Sequence, residues 1–187
     1  MVFIVSAIVW GLIGVITLAV LYIVITFNSL VMLKNRVENA WSQIDIQLKR
    51  RYDLIPNLIN TVKGYMKHEK GTLTDLTKMR SQLISGPMNQ KAKASDAVSN
   101  ALKTLFAVAE NYPKLQASEN FKMLQEELSG TESKIAYSRQ FYNDNVMSLN
   151  NKIQQFPSSI IANMLKFSQK EFFKAEGGER KPVKVEF

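Results

Sequence analysis

"WSQIDIQLKRRYDLIPNLINTVKGYM", residues 41–66, decides the fold. Its apolar side chains fall at Trp41, Ile44, Leu48, Tyr52, Ile55, Ile59, Val62 and Met66, steps of three and four that place them on one stripe of an α-helix. A stripe of this kind is buried against other helices. No strong breaker lies upstream, so the stretch predicts one rod running on from the N-terminal segment. Gly64 is a weak point, and Gly71, after "KHEK", is the expected stop, with the lysines near the helix's negative end. Pro56 has no N–H and crowds the preceding turn, which predicts a kink near Tyr52.

Inside the stretch, Lys49, Arg50 and Arg51 point in three directions at about 100° per residue. Asp45 lies four residues before Lys49, and Asp53 three after Arg50, spacings suited to exposed ion pairs. Arg51 faces the apolar stripe, so its stem must lie on the bundle and its head must find a carboxylate or carbonyl. The expectation is a solvated helix face with one half-buried arginine. Asp45, Lys49, Arg50, Arg51 and Asp53 form the competing partner-contact face.

Upstream, residues 1–27 contain no charged side chain and as a helix reach ~40 Å, more than the ~30 Å of a hydrocarbon core. There is no basic start and the apolar core is too long for a cleaved signal, so the segment reads as a retained anchor in the lipid bilayer. Ala7, Gly11 and Gly14 share one face, where small residues let membrane helices approach closely and self-associate. Lys34, Arg36 and Lys49–Arg51 follow the span and no basic residue precedes it. This predicts the N-terminus outside and the body in the cytoplasm. The net charge is +8, and the excess sits nearest the span: residues 34–112 carry net +6, against +2 for 113–187.

Downstream, helical patterns occur at about residues 73–84, 92–111 and 121–156, and a last one at 158–174. The predicted fold is all-α: a transmembrane helix continuous with an elongated antiparallel bundle of long helices, of the four-helix type, with a short extended tail. The expected divisions are 1–33 for anchor and juxtamembrane helix, 34–176 for the bundle and 177–187 for the tail. In the tail Val183, Val185 and Phe187 alternate with Lys184 and Glu186, a strand period. Docking on its own bundle or on a neighbouring copy is expected, with a strand-adding outside reader as the alternative.

Catalytic and metal constellations are missing from the pattern. His68 is the only histidine and there is no cysteine, so no cofactor or metal is predicted. Glu126, Glu127 and Glu132 lack an opposed helix of acids and histidines and read as a solvated face. Gly177-Gly178 is a linker without a phosphate-binding pattern. Acidic and basic residues alternate and most aromatics hold core spacing, which argues against nucleic acid. Asn143, Asn145, Asn150 and Asn151 are numerous for a helix and suit hydrogen bonds across helices or subunits, or plain surface.

"NRVENAWSQIDIQLKRRYDLIPNLINTVKGYMKHE", the block from "ENYPKLQASENFKMLQEELSG" through "FPSSIIANMLKFSQKEFF", and the closing "PVKVEF" resemble the LemA family of bacterial membrane proteins over essentially the whole chain. The resemblance implies a single-pass anchor and a long-helix bundle, links to envelope processes and, in magnetosome-forming relatives, to membrane formation, and no established reaction. The expected role is a non-enzymatic scaffold of the bacterial inner membrane that forms homo-oligomers and organises or remodels the bilayer. The alternative is an adaptor for an envelope protein such as a protease or transporter.

Overall fold

The structure is a computed structural model and describes residues 2–66 and 70–173. Among them are six helices and no strand: α1 (Val2–Lys63), α2 (Lys70–Ser81), α3 (Met88–Ala109), α4 (Pro113–Gln116), α5 (Glu119–Gln154) and α6 (Ser158–Met164). The fold is all-α, as the periodicity predicts. The described residues form two compact units, 2–39 with 143–172, and 40–142 with Phe173.

The second unit is a four-helix arrangement of the later part of α1, α2, α3 and the earlier part of α5. Chain directions follow from the paired residues. Trp41 meets Tyr142 edge-on at 5.8 Å and Arg51 meets Glu132, so α1 and α5 run antiparallel. Asp96 pairs with Arg139 and Phe106 meets Phe121, which makes α3 and α5 antiparallel as well. Asp45–Lys91 and Arg51–Ser99 set α1 and α3 parallel, the arrangement of an up-down-up-down bundle. Ile44, Leu48, Ile55, Ile59, Val62 and Met66 of the quoted stripe are buried, together with Leu76, Val98, Leu105, Leu128 and Ile135. Each such side chain contributes about 1.5–3 kcal/mol by leaving water.

In the first unit Leu30 and Val37 of α1 are buried, as are Val146, Leu149, Ile161 and Ala162. Phe27 and Phe167 meet edge-on at 6.5 Å. Asn150 accepts from the Lys170 amide and donates to its carbonyl, both at 2.9 Å. Asn150 thus bonds across the chain, to the backbone of Lys170. The N-terminal part of α1 keeps its side chains outward, with Phe3 89%, Trp10 72% and Leu18 68% exposed. Among the described residues α1 is the one helix long and apolar enough to cross a membrane.

The end of α1, the presence of α4 and the end of α6 are among the differences from the sequence expectation. α1 ends at Lys63 and not at Gly71, because the amides of Tyr65 and Met66 both turn back to the Val62 carbonyl. A short α4 opens on Pro113, whose missing N–H costs nothing at a first helical position. α6 stops at Met164, well before residue 174. Lys166 adopts φ 57°, Phe167 N–H bonds the Ala162 carbonyl at 2.9 Å and Lys166 N–H bonds the Asn163 carbonyl at 3.1 Å, a Schellman closure. The expected tail and His68 lie outside the described residues.

Candidate functional site

The tribasic run takes three different paths. Lys49 stays on its own helix, its Nζ 2.5 and 2.6 Å from the Asp53 carboxylate oxygens. Arg50 crosses to Glu127 on α5. Arg51 turns into the core and is fully shut from solvent. The pairings expected along the helix, Asp45 with Lys49 and Arg50 with Asp53, are replaced by Asp45–Lys91 at 2.6 Å, Lys49–Asp53 and Arg50–Glu127. Inter-helix partners win because α3 and α5 bring opposite charges across the bundle, information absent from local spacing.

Around Arg51 a polar cluster is built. Its guanidinium donates to the Ser95 carbonyl and Oγ at 3.2 Å and to Ser99 Oγ at 3.0 Å, and pairs with Glu132. Ser99 Oγ lies 2.9 Å from both Glu132 carboxylate oxygens and from the Ser95 carbonyl. The alanine-rich stretch "ASDAVSNA" of α3 supplies the two serines one turn apart on the buried face. Next to it Arg139 pairs with Asp96 at 2.7 Å and lies 4.5 Å from the Phe173 ring centroid. Burial pushes the Arg51 guanidinium down from its ordinary value to about 10, the Arg139 charge adds to the lowering and Asp96 opposes it. Arg51 therefore keeps its charge at neutral pH. Glu127 and Glu132 belong to these ion pairs, a correction to the solvated-face reading. Arg51 is wholly buried and not half-buried, which leaves Lys49 and Arg50 as the part of the run open to a partner.

Chemically the cluster balances two guanidinium charges against two carboxylates. Both serines accept from Arg51 on the buried face of α3. The described residues contain no group of three or more potential metal ligands from His, Cys, Asp and Glu.

A second polar device had no signal that we read in the sequence. Pro56 has no N–H to offer the Tyr52 carbonyl four residues back. Arg80 of α2 fills that role, its Nε donating to the Tyr52 carbonyl at 2.8 Å while its guanidinium stacks 3.7 Å from the Tyr52 ring centroid. α1 continues through Pro56 as helix.

Two surface faces complete the inventory. Along α1 of the first unit Gly11, Gly14, Leu18, Leu21, Ile25, Asn28, Met32, Asn35 and Asn39 recur at alternating steps of three and four, and all are exposed. No charged residue lies on this line, and a Cβ built at Gly11 or Gly14 meets nothing within 4 Å. Ala7 continues the line on the same helix, its side chain outside the described set. A shallow depression of about 390 Å³ runs among Asn28, Met32, Asn35 and Asn39, with Val31 and Arg36 at its sides. On the second unit an open groove of about 360 Å³ lies between α1 and α5, walled by Ile46 and Gln47 on one side and Lys134, Tyr137 and Ser138 on the other. Ile46 is 63% and Tyr137 73% exposed. Gln47 Oε1 is buried in its wall without a hydrogen-bond partner among the described residues. Val183, Val185 and Phe187 lie outside the described residues.

Comparison with known proteins gives consistent kin. A sequence model of the LemA family matches residues 40–187. Protein LemA of Metamycoplasma hominis is 30% identical over 162 residues, covering 83% of this chain and 72% of that protein. Magnetosome protein MamQ 2 of Paramagnetospirillum magneticum is 21% identical and MamQ of Magnetospirillum gryphiswaldense 20%, each over 84% of this chain and 68% of the relative.

Proposed function

This chain belongs to the LemA family, and on that premise we propose that it is a membrane-anchored, non-enzymatic helical scaffold that self-associates and organises or remodels the bacterial inner membrane. The observation that carries the reading is the uncharged, exposed line on α1 from Gly11 to Asn39. Its period of 3.5 residues is that of a left-handed helix–helix seam. On the other side of the same helix Leu30 and Val37 are already buried, so the line is surplus to the chain's own core. Copies held by the same single span enter the bilayer with one polarity, which sets their α1 helices parallel. Each asparagine then meets its counterpart, and an amide is both donor and acceptor. Relatives named for the magnetosome agree with an organising role.

The expected result is a large particle in mild detergent that falls to small species when Met32→Lys and Asn35→Lys are combined. A particle of unchanged size would remove the seam. The adaptor reading is favoured by the groove beside Ile46 and Tyr137, and a monomer that co-purifies with one other envelope protein would replace the scaffold by it.

A further inference from the structure

The groove between α1 and α5 is the least explained surface of the second unit. Two of its large side chains, Ile46 and Tyr137, stand in solvent, and its wall holds a carbonyl oxygen, Gln47 Oε1, that no donor among the described residues reaches. Such an acceptor is costly to bury alone. The groove therefore suits an extended segment with apolar side chains on one side.

We propose that residues 182–187 of the same polypeptide occupy it. Val183, Val185 and Phe187 recur at the strand period and present one apolar side, while Glu186 has Lys134 at the groove's rim as its complement. The position of Phe173 supplies the connection. It packs on Trp41 of α1 and Arg139 of α5, the two helices that wall the groove. Arg139 in turn pairs with Asp96 of α3. A helix is ~10–12 Å wide with its side chains. Ten residue steps lead from Phe173 to Val183 and reach ~33 Å when extended, so the connection is more than long enough. A tethered segment also acts at an effective concentration in the millimolar range, ahead of any neighbour's tail. The tail is then a latch over an apolar surface, and whatever else binds there must displace it.

The chain has no cysteine, which makes the test direct. Tyr137→Cys combined with Val185→Cys in the full chain, in mild detergent with oxidised glutathione, is compared with Glu110→Cys and Val185→Cys, which probes the far end of α3. The expected product is an intramolecular disulfide, seen as a compact monomer on non-reducing electrophoresis and formed at least ~10-fold faster than in the control pair. Adding Ile46→Asp, at an exposed position, lowers that rate toward the control while the helical dichroism stays the same. A covalent dimer means a neighbour's tail fills the groove and overturns the proposal. A rate equal to the control, or one indifferent to Ile46→Asp, overturns it too.

Discussion

At the scale of single residues, Arg51 carries the largest electrostatic stake. Replacing it with Met takes the donor from Ser95, Ser99 and Glu132 together. Glu132 is 41% exposed and recovers part of its hydration, so the loss expected is on the order of 2–3 kcal/mol rather than that of a sealed pair. The measurement is the denaturation midpoint of the full chain in detergent. Combining Arg51→Met with Glu132→Leu removes both charges, and the double variant should be no less stable than Arg51→Met alone, since apolar replacements of buried pairs are often neutral. A larger loss in the double variant would show that the pair is not the coupled unit described. Spacing in the sequence aimed Arg51 at the core and demanded a partner. It did not say which, because Glu132 lies 81 residues away.

At the scale of elements, the Pro56 turn of α1 depends on α2. Arg80→Ala strips the Tyr52 carbonyl of its donor and the Tyr52 ring of its cation, at an expected cost of about 1–3 kcal/mol. Pro56→Ala restores the local N–H, so Arg80→Ala in that background should cost about 1 kcal/mol less; strictly additive effects would refute the substitution of one donor for the other. At the end of α6, Lys166 holds the left-handed conformation at φ 57°. Lys166→Gly removes the Cβ conflict and should raise stability by about 0.5–1 kcal/mol, read as a thermal shift. The sequence pattern "NMLKFSQK" continues apolar past Met164, and for that reason residue 174 looked like the helix end. The closure rests on backbone bonds that periodicity does not report.

At the scale of the whole molecule, the basic excess beside the apolar span sets the expected topology. Protease added outside intact cells should leave the body whole; digestion of residues beyond Lys34 would invert the orientation. The exposed line on α1 and the latch in the groove predict separable losses. Lysines at Met32 and Asn35 should reduce particle size without altering closure of the tail, whereas Ile46→Asp should do the reverse.

Helix period, the apolar leading segment and its charge flank were fixed locally, since each depends on residues within a few turns of one another, and so the all-α fold was readable from residues 41–66 outward. Partners for Arg50, Arg51 and the Tyr52 carbonyl were decided only when α2, α3 and α5 closed on α1. A charge or an orphaned carbonyl buried in the bundle is satisfied by whichever group the packing brings near, and nearness across 28 to 81 residues of chain is a property of the tertiary structure.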